Sequence, residues 1–243
     1  MSHPTTATDL VERYAALREQ IDTLGEHYGR DRCDLELLAV SKTRTSAEIR
    51  ACAAVGQRQF AENYLQEALV KIEECAELLL TWHFIGRIQR NKTREIARNF
   101  SWVHTVDRPQ IAQRLHDQRP RSLGRLNVCI QVNLDGAENK GGVSEQQLPE
   151  LARVISGFDG LRLRGLMTIP EPVDGLTYQR QPYRRLAQLR EQLAREWPGL
   201  DTLSMGMSAD MEAAIAEGAT LLRIGTGLFG PRIQATATTA SAN

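Results

Sequence analysis

No apolar run in this chain approaches the ~20 residues that a membrane-spanning helix needs. The opening stretch Met1-Ser2-His3-Pro4-Thr5 has neither the basic start nor the apolar core of a secretion signal. Cysteine is sparse: Cys33, Cys52, Cys75 and Cys129 stand far apart, with no Cys-x-x-Cys pair. That argues against a metal site and against a disulfide framework, and isolated thiols of this kind fit a reducing, cytoplasmic setting. An excess of one charge is also missing. Lys plus Arg number 30 and Asp plus Glu number 30, so the chain lacks the broad positive field of a nucleic-acid or anionic-membrane binder. Nor is there a Pro/Gly/Ser-rich linker or a shift in composition to divide it. With 42% hydrophobic residues among 243, the material suffices for one domain with a substantial core. Residues 8–232 are expected to form it. Residues 1–7, made of turn and cap formers, and the Ala/Thr/Ser-rich tail 233–243 are expected to be disordered.

What is present is a rhythm. A first helix is predicted over 10–28, where Leu10, Tyr14, Leu17, Ile21 and Leu24 fall on one stripe. Strand-length apolar runs then alternate with amphipathic segments eight times, at 35–41, 57–62, 81–85, 102–106, 126–133, 161–167, 201–205 and 221–225. The second run has only Phe60 and Ala61 as apolar members and is included because the rhythm requires it. Between the runs, Thr45-x-x-Glu48 and Ser144-x-x-Gln147 read as capping boxes, Asp107 as the cap of the following helix, and 183–197 as a long helix. Eight β-then-α units predict an α/β fold: a single (β/α)₈ TIM-type barrel with an extra N-terminal helix. An open doubly wound sheet is the rival, but no Gly-x-Gly-x-x-Gly follows the first strand, and the last unit would leave an exposed edge.

In such a barrel the chemistry sits where the strands end. Lys42 directly follows the first strand. Desolvation there would lower an amine's pKa and free it to attack an aldehyde; a rim lysine reaching out to solvent is the plain alternative. Ser208 and the Gly225-Thr226-Gly227 turn follow strands seven and eight, where barrels often bind phosphate. Ser208 is expected to cap the helix that starts near Asp210. Arg223 alternates onto the face of Gly225, so it points either at a ligand or into an ion pair with an interior carboxylate such as Glu62.

These residues lie in segments similar to the pyridoxal-phosphate homeostasis proteins, single-domain relatives of the alanine racemase barrel. The segments are Leu-Leu-Ala-Val-Ser-Lys42-Thr, Ala61-Glu62-Asn63-Tyr64, Trp82-His83-Phe84-Ile85-Gly86, Leu163-Arg164-Gly165-Leu166-Met167, Gly206-Met207-Ser208-x-Asp210-Met211-Glu212 and Arg223-Ile224-Gly225-Thr226-x-x-Phe229-Gly230. The family usually has Gly where this chain has Ala61, and Glu138 falls one place later than in its pattern. The resemblance implies pyridoxal 5′-phosphate (PLP) as cofactor, held as a Schiff base on Lys42. It implies Ser208, Gly225 and Thr226 around the phosphate, Asn63 near the ring, Arg223 at the pyridine nitrogen, and His83 and Met167 lining the pocket. No catalytic residue and no metal are implied.

The implied role is a non-catalytic carrier that buffers PLP and delivers it transiently to apoenzymes, with amino-acid and keto-acid balance shifting as a result. An arginine at the ring nitrogen makes the ring a poorer electron sink, and the racemases' second, β-rich domain is not expected here. A PLP-dependent racemase or lyase of low activity is the alternative, with Tyr64 and His83 as the rim candidates for a second base. A phosphate-binding barrel without pyridoxal is a further one. A monomer or weak dimer is expected.

Overall fold

The computed structural model describes residues 7–137 and 140–231. The expectations for 1–6, Glu138 and 233–243 fall outside them. Ala7, assigned above to the unstructured end, already opens the first helix. In chain order the elements are α1 (Ala7–His27), β1 (Glu36–Val40), α2 (Ser46–Ala54), β2 (Gln59–Glu62), α3 (Leu65–Glu74), β3 (Thr81–Phe84), α4 (Thr93–Asn99), β4 (Trp102–Val106), α5 (Pro109–Gln118), β5 (Leu126–Gln131), α6 (Leu148–Ser156), β6 (Leu161–Met167), α7 (Leu176–Ala194), β7 (Thr202–Ser204), α8 (Met211–Ala216), β8 (Leu221–Ile224) and α9 (Thr226–Phe229), with short 3₁₀ turns between. The eight strands pair in parallel, each with its sequence neighbour, and β8 pairs with β1 to close the barrel. The α/β barrel with its N-terminal helix is therefore the fold, and the weak second run is a true strand. α1 packs on α2, α8 and α9, the helices that flank the β8–β1 seam.

Strand alternation sorts the side chains into two populations. Phe60, Val103, Ile130, Leu166, Leu203 and Ile224 join one large apolar cluster with the helices. Leu38, Val40 and Ala61, with Ile85 against them, form a separate small cluster. These belong to the inward-facing set of β1 to β3.

Three local expectations need correction. The helix predicted from 183 begins at Leu176 and carries Pro182 inside it. The proline removes one N–H, and the carbonyl it leaves belongs to Tyr178, 64% exposed, where water can replace the donor. Asp107 does not cap α5. Arg108 takes the N-cap position without a side-chain bond, and Pro109 at the first turn has no N–H to satisfy. Ser208 lies in the turn before α8, whose N-cap is Asp210. The Thr45 capping box is present in both directions, and Ser144 and Gln147 exchange reciprocal bonds.

Candidate functional site at the barrel mouth

Lys42 is half-buried in the turn between β1 and α2. It continues the inward alternation of Leu38 and Val40. Val40 pairs with Ala61 across β1–β2, so the same register sets Lys42 beside Asn63. Asn63 Oδ1 is buried and has no hydrogen-bond partner in the protein. Such an atom costs about 1–3 kcal/mol unless something else meets it.

The corner on the other side of Lys42 is made by two loops, those after β7 and β8, of which β8 pairs with β1. Gly227 N–H donates to Ser208 Oγ at 3.1 Å, so the two segments singled out for phosphate are joined. A Cβ on Gly227 would stand 3.1 Å from Ser208 Oγ and from Ile224 Cγ2, leaving little room for any side chain. Asp210 holds the Ser208 turn by accepting Met207 N–H at 2.6 Å and the Tyr183 hydroxyl at 2.7 Å. Burial, helped by the Asp210 carboxylate, raises the Tyr183 pKa and keeps its hydroxyl a donor. Gly206 makes the exit from β7 at φ +89°, where a Cβ would meet that of Ala214 at 2.5 Å. Gly225 is half-buried, with its Cβ direction 3.5 Å from the Val40 carbonyl, two residues before Lys42. Thr226 is exposed beside it.

Arg223 is buried and inward-facing. It makes no ion pair with Glu62, which faces outward to α3. Its Nη2 donates to the Thr168 carbonyl at 2.8 Å and its Nη1 to Ser204 Oγ at 2.9 Å. Burial pulls its pKa below the ordinary value. Met167, fully buried, ends β6 one residue before Thr168. His83 sits within β3, two positions short of Ile85, and stacks on Trp102 with ring centroids 5.4 Å apart.

Arg223 and His83 belong to one arrangement, which runs from Arg223 to Gln59. Ser204 Oγ lies 2.7 Å from His104 Nδ1, His104 Nε2 lies 2.9 Å from His83 Nδ1, and His83 Nε2 lies 2.7 Å from Gln59 Oε1. β4 and β7 are not neighbours in the sheet, so the His104–Ser204 contact crosses the barrel interior. The direction of the chain follows from its ends. Gln59 Oε1 only accepts and guanidinium only donates, so with both rings neutral the Ser204 hydroxyl accepts from Arg223 and donates to His104 Nδ1. His104 then carries its proton on Nε2 and gives it to His83 Nδ1; His83 gives its own from Nε2 to Gln59. Both imidazoles are neutral. Burial pushes His83 down to about 3. Burial, then the neighbouring His83 and Arg223, hold His104 well below the ordinary histidine value.

His104, Ser204 and Gln59 were not anticipated as part of the site. The signal that could have found them is a polar side chain at the inward-alternating position of a buried strand. The opposite end of the barrel holds a cleft of about 570 Å³ lined by Arg30, Glu36, Trp102, Arg164 and Asp201 among others. Its polar groups are largely committed to one another. Arg164 pairs with Asp201 at 2.7 Å and lies over Trp102, while Arg30 donates to the carbonyls of Ile215 and Ala219. Among the described residues no group of three metal-ligating side chains converges, and no helix is long and apolar enough to cross a membrane.

A family model described as alanine racemase, N-terminal domain, matches residues 13–232. That match runs from within α1 past α9 and takes in all eight strands, so the class is that of the alanine racemase N-terminal barrel. The pyridoxal phosphate homeostasis protein of Pseudomonas aeruginosa is 53% identical over 223 residues, covering 92% of this chain and 96% of its own. That of Escherichia coli is 46% identical over 227 residues, 92% and 97% of the two chains. The chain belongs to the pyridoxal phosphate homeostasis protein family. Among solved structures, PipY of Synechococcus elongatus with PLP bound is 35% identical with a TM-score of 0.80, covering 91% of this chain and 100% of that one. Alanine racemase from Corynebacterium glutamicum, 15% identical with a TM-score of 0.64 over 91% of this chain and 62% of its own, shares the fold.

Proposed function

We propose that this protein binds pyridoxal 5′-phosphate at the C-terminal mouth of its barrel, with Lys42 as the covalent anchor, and serves PLP homeostasis as a carrier. The observation that carries the reading is the buried, unpartnered Asn63 Oδ1 beside the strand that ends in Lys42. No protein group satisfies that oxygen, and a polar group of the bound cofactor is what the proposal supplies to it. When bound, the cofactor supplies an aldehyde carbon open to amines and an electron-poor aromatic ring. Ser208, Gly225 and Thr226 are assigned to the phosphate, Met167 to the pocket wall and Arg223 to the ring nitrogen. His83 acts from below, through His104 and Ser204, on the position of Arg223. The relatives' names and the PLP-bound PipY structure support PLP as the ligand and homeostasis as the role.

The arrangement favours holding over turnover. Arg223 offers the ring nitrogen a donor that keeps its own proton, so the nitrogen stays unprotonated and the ring withdraws electrons weakly. A two-base racemase also needs a second proton-transfer group at the mouth. His83 has both ring nitrogens engaged and a pKa near 3. Tyr64 is 56% exposed, outside the desolvated setting that tunes a catalytic base. Release to apoenzymes follows from reversible attachment at an open mouth. A cytoplasmic location, a monomer or weak dimer, and a single folded unit complete the proposal.

The test is a visible spectrum of the purified protein after incubation with PLP, before and after borohydride, followed by peptide mass analysis. A visible band bleached by borohydride, with the reduced pyridoxyl group on Lys42 and none at that position in Lys42→Ala, is the expected outcome. A wild-type protein that stays colourless and carries no adduct on Lys42 overturns the reading.

A further inference from the structure

The helix α3 carries an apolar stripe of Leu65, Ala68, Leu69 and Ile72, yet Lys71 is buried on the same helix, only 4% exposed. A lysine is almost never found so deep unless paired. Its Nζ donates to Glu62 Oε1 at 2.8 Å, to Glu67 Oε1, and to the carbonyl of Ser41 at 2.7 Å. Three N–H groups thus meet three acceptors. The two carboxylates reach onward. Glu62 Oε1 accepts the Ser41 hydroxyl at 2.6 Å, and Glu67 Oε1 accepts the Thr43 N–H at 2.5 Å. Three of these bonds end on a residue immediately before or after Lys42, and the other two join Lys71 to the two carboxylates.

Thr43 itself sits at φ +65°. A β-branched residue in the left-handed region is strained by about 1–3 kcal/mol and persists only where its surroundings hold it there. The turn is also closed by Arg44 N–H to the Ser41 carbonyl at 3.0 Å. The cluster is not an economical way to stabilise a fold. A buried ion pair is often no better than packed apolar side chains, and Glu62, fully buried, leaves Oε2 without a partner. Burial raises the Glu62 pKa, against the pull of Lys71 and Ser41.

We propose that Lys71 is a positioning residue for Lys42: through Ser41, Glu62 and Glu67 it clamps the strained Ser41–Thr43 turn that aims the Lys42 amine into the barrel mouth. The inference rests on Lys42 being the cofactor anchor. It assigns Lys71 no contact with the cofactor.

The measurement is the rate at which Lys42 is captured in the full-length, PLP-free chain. The amine nitrogen adds to the aldehyde carbon of PLP, the aldehyde oxygen leaves as water with both amine protons, and borohydride then delivers hydride to that carbon while water protonates the nitrogen. Timed quenching and peptide mass analysis give the rate at Lys42, with Lys140, half-buried and ion-paired with Asp135 and Glu171 away from the cluster, as an internal control. Lys71→Met is expected to slow capture at Lys42 by about tenfold or more, below the ~100-fold that a 1 Å misplacement can cost, with Lys140 unchanged. Thr43→Gly, which reaches a positive φ without strain, is expected to restore most of the rate in the Lys71→Met background. A role in stability alone would not produce that rescue. If Lys71→Met does not fold, Glu67→Ala removes the hold on Thr43 N–H and one of the three acceptors of Lys71 while leaving Glu62 in place, and slower capture at Lys42 is again expected. Capture at the wild-type rate in either variant overturns the clamp while leaving Lys42 as the anchor. No capture at Lys42 in the wild type overturns both.

Discussion

Outside the strands, Phe60, Val103, Leu203 and Ile224 meet the helices through apolar atoms alone. Inside them, their alternating neighbours Gln59, His104, Ser204 and Arg223 meet through His83 and one directed chain of hydrogen bonds. The two spaces share a backbone and answer to different physics. Apolar contact is non-directional, so the outer layer asks only for volume and pattern. A chain of donors and acceptors has one consistent proton arrangement, and a missing link strands the groups on either side. The outer layer therefore carries most of the stability, and the inner one fixes where a cation lies beneath the mouth.

The largest expected effect tests the outer layer. Ile111 on α5 is fully buried in the apolar cluster. Ile111→Ala should cost about 2–5 kcal/mol of unfolding free energy, read from urea denaturation, while the folded variant keeps the wild-type absorbance band with PLP. A shifted band in this variant would mean that the two spaces are coupled. The inner counterpart is smaller in energy and larger in consequence. Ser204→Ala leaves Arg223 Nη1 without its acceptor and His104 Nδ1 without its donor. The expected cost is about 1–3 kcal/mol, together with a displaced absorbance maximum of the bound cofactor. A variant with wild-type stability and an unmoved band would show that the inner chain does not set Arg223.

The same division decides what could be read from the sequence. The outer layer repeats, so eight strands and their helices were legible, and even Gln59–Glu62, with two apolar residues, could be inferred from rhythm. Pro182 misled the start of α7 because its lost hydrogen bond falls on an exposed turn, where water makes up the difference. Lys42, Ser208 and Arg223 stood out because they occupy or adjoin strand ends, where barrels place chemistry. His104 and Ser204 did not, because their partnership joins residues 100 positions apart across the barrel. No local pattern records that. Lys71 was hidden for another reason. It sits amid an apolar helical stripe, where a lone lysine reads as an exposed residue at the stripe's edge, and only the carbonyl of Ser41 reveals what it reaches.

The inner chain also makes a prediction that the outer layer cannot. His83 and His104 are neutral in the folded protein, with folded pKa values depressed to about 3 and to well below the ordinary value. An unfolded histidine titrates near ~6.5. Below that pH the unfolded chain binds protons that the folded chain refuses, so stability is full above about 6.5 and falls as pH drops. Each histidine should contribute a slope of about 1.4 kcal/mol per pH unit, and the pair about 2.7. Between pH 6.5 and 5 this slope is only lightly mixed with the acid titration of carboxylates such as Glu217, held low by Arg184 and Arg180 against its burial. Urea denaturation across that window isolates it by difference. His104→Gln removes one of the two titrating groups and should cut the slope by about half, whereas Ile111→Ala should lower the whole curve and leave its slope alone. An unchanged slope in His104→Gln would mean that His104 takes up its proton while folded. That proton would turn His104 Nδ1 from acceptor to donor, reverse the bond to Ser204, and place a second cation beside Arg223.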